Sequence, residues 1–183
     1  FDLVVSVYDI LSDPAKRLAR EGVFLKRLAG TGARVLDLAC GTGVHAEYLA
    51  RWGARVTACD LSEAMLDRAR TARAHANLAY IARDMRIPPA GPFDFAYCIG
   101  NSINLLPSRG DAGTMLAAVR RTLAPDGRLL LHAINPDCPA HACASLLRKE
   151  GTIGGRRVTV EKRMTPGTAG RTVEVRIRVE GEA

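Results

Sequence analysis

Asp37 stands inside the apolar run Arg34-Val-Leu-Asp-Leu-Ala39, which passes directly into Cys40-Gly-Thr-Gly43. Gly41 and Gly43 let the backbone turn sharply and approach a ligand with no Cβ in the way. A helix beginning near Val44 then points its unpaired N–H groups at whatever fills the turn. A second acid, Asp60, closes the next apolar run about 20 residues on, where a carboxylate can accept hydrogen bonds from both ribose hydroxyls of a nucleoside. Charge-assisted bonds of this kind contribute about 1.5–3 kcal/mol each. The plain alternative for Asp60 is a cap on the following helix. Asp37, within its strand, reads as the group that accepts N–H bonds from the glycine turn and holds it open. Asp84-Met85 can bond an adenine amino group and pack against the ring, against the alternative of a solvated loop acid.

These groups meet only if the apolar runs are strands and the intervals are helices. Val35, Leu36, Leu38 and Ala39 suit a strand buried on both faces. After a helical stretch over Pro14–Leu28, strands are predicted at Arg34–Ala39, Arg55–Asp60, Leu78–Asp84, Phe93–Ile99 and Gly127–Ile134. Helices are predicted at Val44–Arg51, Ser62–Ala74 and Asp111–Leu123, with Ser62-Glu63 as a helix start and Pro125-Asp-Gly127 as a turn. Repeated βα units imply a parallel, doubly wound sheet with helices on both faces, an α/β fold whose ligands collect at the carboxyl ends of the strands. Asp60, Asp84 and Cys98–Asn101 all fall on that rim.

The tail differs. Val173, Val175, Ile177 and Val179 alternate with Glu174, Arg176, Arg178 and Glu180, and Arg156–Met164 precedes them across a turn-rich connector. This predicts a C-terminal antiparallel hairpin with one wet face. The expected division is a core over 1–137, with its N-terminal helical segment, and a helix plus hairpin over 138–183 acting as a lid. Five parallel strands would leave the core sheet incomplete. Phe1 in place of an initiating methionine agrees with a trimmed or partial chain.

The bulk composition narrows the function classes. With 183 residues, 48% hydrophobic and 25% charged, the chain has the profile of one globular domain. No apolar run is long enough to span a bilayer, so a cytoplasmic protein is expected. The net charge of +7 comes from arginines scattered among acids, without interleaved aromatics. That argues for a solvated basic surface that suits an anionic substrate and against nucleic acid. Cys40, Cys59, Cys98, Cys138 and Cys143 read as reduced thiols, and Cys138-Pro-Ala-His141-Ala-Cys143 lacks a fourth partner at zinc spacing, so no metal is expected.

Asp37-Leu-Ala-Cys-Gly-Thr-Gly43, Asp60, Asp84 and Asp94–Asn101, in this order, resemble the motifs of class I S-adenosylmethionine (SAM)-dependent methyltransferases. The resemblance covers about residues 8–137. It implies a Rossmann-like core, SAM as cofactor, and cofactor contacts from Ala39, Cys40, Gly41, Gly43, Asp60, Leu61, Met65, Asp84, Met85, Cys98, Ile99 and Gly100. The alternative for Met65 is simple packing of its helix. A dinucleotide oxidoreductase would share the first strand, the turn and the ribose acid, but Ala46 stands where its third glycine belongs, and hydride transfer gives Asp84 no task.

Phe93-Asp-Phe-Ala-Tyr-Cys-Ile-Gly-Asn-Ser102, Leu105-Leu-Pro107 and Asp126–Asp137 are similar to the glycine/sarcosine N-methyltransferase branch. That likeness implies a tyrosine and a cation on the N-terminal helix reaching the methionine part of SAM. Tyr8 and Arg17 are the counterparts, with Arg20 as a substitute, and arginine can hold a carboxylate bidentately. Two departures argue against glycine as acceptor: Ile134 replaces the carboxylate-binding arginine and Leu105 replaces a histidine. Asn101, Ser102 and Tyr8, with Asn104, are the candidates for steering a small-molecule acceptor. His132 is read as a core histidine inside the fifth strand and His45 as helix N-terminal structure. With no base on the rim, an amine acceptor is favoured over a hydroxyl. O-methylation, RNA or protein methylation, and a non-catalytic SAM-binding module stay open, as does homo-oligomerisation.

Overall fold

The computed structural model describes residues 3–134, 145–167 and 170–180. It divides into two compact units: Pro14–Ile134, and Phe1–Asp13 together with Asn135–Ala183.

The larger unit is the βα array. Its first helical stretch is a short α-helix, α2 (Pro14–Arg17), a π turn over Leu18–Gly22, and α3 (Val23–Ala29), in place of one uniform helix. The array continues through β1 (Arg34–Leu38), α4 (Val44–Arg51), β2 (Arg55–Asp60), α5 (Glu63–Ala72), β3 (Leu78–Ala82), β4 (Phe93–Cys98), a 3-10 turn over Ser102–Leu105, α6 (Arg109–Thr122) and β5 (Leu123–Leu131). The five strands pair in the order β3-β2-β1-β4-β5, every pair parallel. β5 starts earlier than the sequence predicts, because Leu123 pairs with Phe93 before a register shift carries the ladder to Arg128–Leu131.

The alternation along β1 splits the core into two clusters. Val35 faces Val56, Ala58, Phe95 and Tyr97 under Leu25 and Leu49. Leu36 and Leu38 face Cys59, Ala96 and Cys98 under Met115 and Val119. Ser62 and Ser108 cap α5 and α6 by accepting N–H bonds from Met65 and Asp111.

The second unit holds α1 (Leu3–Ser12) and an antiparallel sheet, β6 (Ser145–Ile153), β7 (Arg156–Gly167) and β8 (Gly170–Val179). The predicted hairpin is β7–β8. Neither α1 nor β6 is legible in the sequence. Val5 and Val7 are poor helix formers, yet both are buried, and Val7 packs with Ile10, Val158, Val160, Ile177 and Val179. Lys149-Glu150-Gly151 interrupts the strand pattern of β6, but Gly151 is needed there: a Cβ would come within 2.7 Å of Ile10. Cys138, His141 and Cys143 lie outside the described residues, and no metal-ligating cluster occurs among those described.

Candidate functional site

The carboxyl ends of β1 and β4 are bent into backbone conformations that ordinary residues avoid. Ala39 (φ 58°), Gly41 (56°) and Gly43 (79°) follow β1, and Gly100 (80°) and Asn101 (74°) follow β4. Left-handed backbone at non-glycine residues costs of order 1–3 kcal/mol each and gathers at binding sites. Gly43 has a second constraint, since a Cβ there would run into the Tyr80 ring. The Tyr80 hydroxyl donates to the carbonyl of Arg73, which fixes the ring below the turn.

Asp60 ends β2 and turns its carboxylate toward the glycine turn. One oxygen accepts from the Gly41 N–H at 2.7 Å, the other from the Ser62 N–H at 2.9 Å. A carboxylate has about four acceptor positions, so two more bonds can be made. The cap of α5 is Ser62, so Asp60 braces the turn ahead of the helix and does not cap it, and its remaining acceptor positions stay available. The task assigned to Asp37 belongs in fact to Asp60. Asp37, 3% exposed, accepts from the Tyr97 hydroxyl at 2.8 Å, as the β1–β4 register places these two side by side. Burial pushes the Asp37 carboxyl up to about 8, Asp60 adds to this, and the Tyr97 bond and Arg17 oppose it. Asp37 is a largely neutral acid beneath the turn near pH 7.

Asp84 is held by an ion pair that neither sequence reading includes. It is not a freely solvated acid: Arg86 contacts both of its oxygens, with the shortest contact 2.6 Å, and also reaches Asp111 at 2.6 Å. The Arg86 bonds hold the Asp84 carboxyl below its usual range. Arg86 was missed, although its spacing two residues after Asp84 was a usable signal. Met85 packs against the β4–α6 cluster. Leu61 is 75% exposed beside Asp60, and Met65 is half-buried on α5.

Arg17 is brought to the end of β4: a Cβ at Gly100 would lie 3.3 Å from its Nη2. Its Nε is 3.7 Å from Glu21 Oε2 on the π turn, and that oxygen is 3.0 Å from Nε2 of His45 on the first turn of α4. His45 is thus more than helix-start structure. Burial, then the Arg17 charge, pushes its imidazole down to about 4. Glu21 lies below its usual range, because Arg20, Arg17 and His45 together outweigh the opposing effect of burial. Sequence reasoning missed Glu21, since nothing local links it to His45. Arg20 is turned to Glu21 Oε1 at 2.8 Å. Tyr8 lies on α1, in the other unit.

Beyond β4, the Asn101 side-chain oxygen accepts from the Ile134 N–H and from Asn104, tying the two strand ends together. The Ser102 hydroxyl donates to the Ile99 carbonyl at 3.3 Å. Cys98 is buried, and burial pushes its thiol up to about 12, as it does that of Cys59; Cys40 is raised as well. None of these three is a thiolate near neutral pH.

His132 corrects the sequence reading. β5 stops at Leu131, and His132 is exposed one residue past it, its N–H donating to the Cys98 carbonyl at 3.0 Å. It borders a cleft of about 380 Å³ with Ile99, Leu130, Phe24, Arg20 and Glu21. A larger cleft, about 500 Å³, lies at the opposite rim among Arg34, Arg55, Asn77 and Phe93, away from the strand carboxyl ends.

Residues 35–127 match the sequence family described as a methyltransferase domain. The chain is 34% identical over 126 residues to the ubiquinone biosynthesis O-methyltransferase of Xanthomonas axonopodis pv. citri (strain 306), covering 64% of this chain and 50% of that protein. It spans about half the length of the curated relatives it matches. Among solved structures it superposes on CalS10, an amino pentose methyltransferase from Micromonospora echinaspora with SAM bound, with a TM-score of 0.70 and 24% identity over 98% of this chain and 81% of that one. Streptomyces venezuelae DesVI gives a TM-score of 0.76 at 20% identity, over 98% and 84%. At such identities the likeness is one of fold.

Proposed function

This chain belongs to the methyltransferase-domain family, and from that premise we propose that it holds SAM across the carboxyl ends of β1, β2 and β4 and transfers the methyl group to a small-molecule acceptor. One observation carries the reading: five residues with left-handed backbone at two strand ends, Ala39, Gly41, Gly43, Gly100 and Asn101, gather with Asp60 and Arg17 on one rim. The donor set fits the cofactor. Asp60 supplies acceptors for ribose hydroxyls, Arg17 a cation for the amino-acid carboxylate, and Gly41 and Gly43 unobstructed backbone. Leu61, Met65 and Met85 supply apolar surface for the adenine, with the Asp84 loop beside it, and Cys40, Cys98 and Ile99 close the floor.

When bound, the cofactor supplies an electrophilic methyl on sulfur, whose bond breaks with its electron pair leaving on the sulfur. The chain's own residues must orient the acceptor and exclude water, and orientation alone can supply roughly 7–11 kcal/mol of barrier reduction. Asn101 serves by fixing the β4 end against the segment that follows β5, and Ser102 by closing the turn onto the Ile99 carbonyl. The finer placement beside the glycine/sarcosine branch rests on the Phe93–Ser102 and Asp126–Asp137 segments. Within it glycine is disfavoured, because Ile134 offers no charge to a carboxylate. The sequence-based preference for an amine rested on the lack of a rim base, and the position of His132 removes that ground. Calorimetric titration with SAM and with NAD tests the proposal: SAM binds and NAD does not. Binding of NAD alone would overturn it.

A further inference from the structure

Resting on the methyl-transfer reading, we propose that the cleft beside Ile99 is the acceptor subsite, that it takes a phenol, and that His132 is the catalytic residue that removes the hydroxyl proton. The backbone bond from His132 to the Cys98 carbonyl fixes this residue one position from Ile99 and two from Gly100 along the neighbouring strand end. The opposite wall, Glu21, touches Arg17 at that same end of β4. The cleft therefore opens onto the corner where the cofactor's reactive end is placed.

Its chemistry selects the ligand. Phe24, Ile99 and Leu130 form an apolar wall suited to an uncharged ring. The charged groups facing His132 across the cleft are Arg20 and Glu21. Arg20 pairs with Glu21 Oε1 at 2.8 Å, so these two charges offset one another and the apolar wall decides the fit. Such a lining suits an uncharged phenol better than an ammonium group. The other candidate bases are closed off. Asp37 and Tyr97 are buried beneath the turn, the thiols are raised, His45 is buried against Glu21, and His75 accepts the Asn77 N–H away from the rim. Among the described histidines only His132 is exposed at the strand carboxyl ends.

An imidazole takes a proton readily from a phenol, whose pKa is near ~10 as in tyrosine, and much less so from an aliphatic alcohol. In the step, the hydroxyl proton passes to the imidazole. The oxygen forms the new bond to the methyl carbon as the carbon–sulfur bond of the sulfonium donor breaks, and the electron pair leaves on sulfur. The imidazolium then returns its proton to water.

Three probes, 4-nitrophenol, 4-methylphenol and benzylamine, test this on the 183-residue chain. 4-Nitrophenol titrated into the chain in mildly acidic buffer should show growth of its phenolate absorbance on binding, and His132→Gln should abolish that growth. With 4-methylphenol as acceptor, His132→Gln should lower methyl transfer about 100-fold at neutral pH. The deficit should close as the pH approaches ~10 and the phenol ionises unaided. SAM affinity should be unchanged, which also shows that the variant is folded. Phe24→Ala should raise KM for 4-methylphenol several-fold with SAM affinity again intact. Equal rates for His132→Gln and wild type would overturn the inference. So would transfer to benzylamine but to neither phenol, or SAM binding with no transfer to any probe. Failure to bind SAM at all would overturn the underlying reading instead.

Discussion

Asp37→Asn isolates one quantity, the pH dependence that a buried acid imposes on stability. The Asp37 carboxyl is pushed from 3.8 to about 8, chiefly by burial. Because the folded-state value is the higher one, the folded protein holds a proton that the unfolded chain releases as pH rises above about 4. The contribution of Asp37 is therefore most favourable below that point, and it is lost progressively until the folded carboxyl itself ionises near 8. Each pH unit in this window is about 1.4 kcal/mol, so the wild type should lose about 4 kcal/mol relative to the variant between about pH 5 and about pH 8. Asparagine keeps an acceptor for the Tyr97 hydroxyl and nearly the same volume, so the slope is the readout and any constant offset is immaterial. Urea denaturation followed by Trp52 fluorescence, at about three pH values across that range with linear extrapolation, gives both slopes. Acids lowered in the folded state, such as Asp84, Asp94 and Asp111, act at lower pH and are common to both proteins. Parallel stability curves for the two proteins would refute the assignment of a neutral acid beneath the turn.

Asp60→Ala should weaken SAM binding by about 1–3 kcal/mol by calorimetry, through loss of charge-assisted bonds. Because its carboxylate also holds Gly41 and Ser62, Asp60→Ala should lower the thermal midpoint, and Asp60→Asn, which keeps one acceptor, should lower it less. An unchanged SAM dissociation constant in Asp60→Ala would leave Asp60 only a brace for the turn. Gly43→Ala should cost more than the about 1–2 kcal/mol of left-handed strain alone, because a Cβ at φ 79° and ψ 17° would run into the Tyr80 ring, and it should abolish SAM binding. A cost within that strain range in urea denaturation would show that Tyr80 yields freely.

The order of elements was legible because each strand is a short apolar run bounded by a turn or a serine cap, signals that act within about ten residues. The rim was legible for the same reason, since strand ends define it. What the sequence hides is any relation set by register or by packing between distant elements. Asp37 was given the task of Asp60 because spacing along the chain does not say over which carboxylate the turn folds. Only the pairing of Asp37 with Tyr97 across β1 and β4 shows that the former is already engaged. The Glu21–His45 contact joins a π turn to a helix 24 positions later. His132 hinged on a smaller error: ending β5 at Leu131 rather than Ile134 changes an inward histidine into an exposed one.

The left-handed residues explain why the rim could be found while its contacts could not. Glycines 41, 43 and 100 announce themselves, but Ala39 and Asn101 carry no such mark and still adopt φ of 58° and 74°. Each is held there by bonds made elsewhere. Next to Ala39, the Cys40 N–H donates to the Cys59 carbonyl, which carries the β1–β2 ladder past the strand end. Asn101 is fixed because its side chain accepts from the Ile134 N–H. Strain of this kind persists only where the surrounding structure over-determines it. Here the surroundings are the three neighbouring strands β2, β4 and β5, whose ends would each relax if the turns straightened. The sheet therefore does more than carry the strand ends: its pairing keeps two unfavourable backbone bends in place.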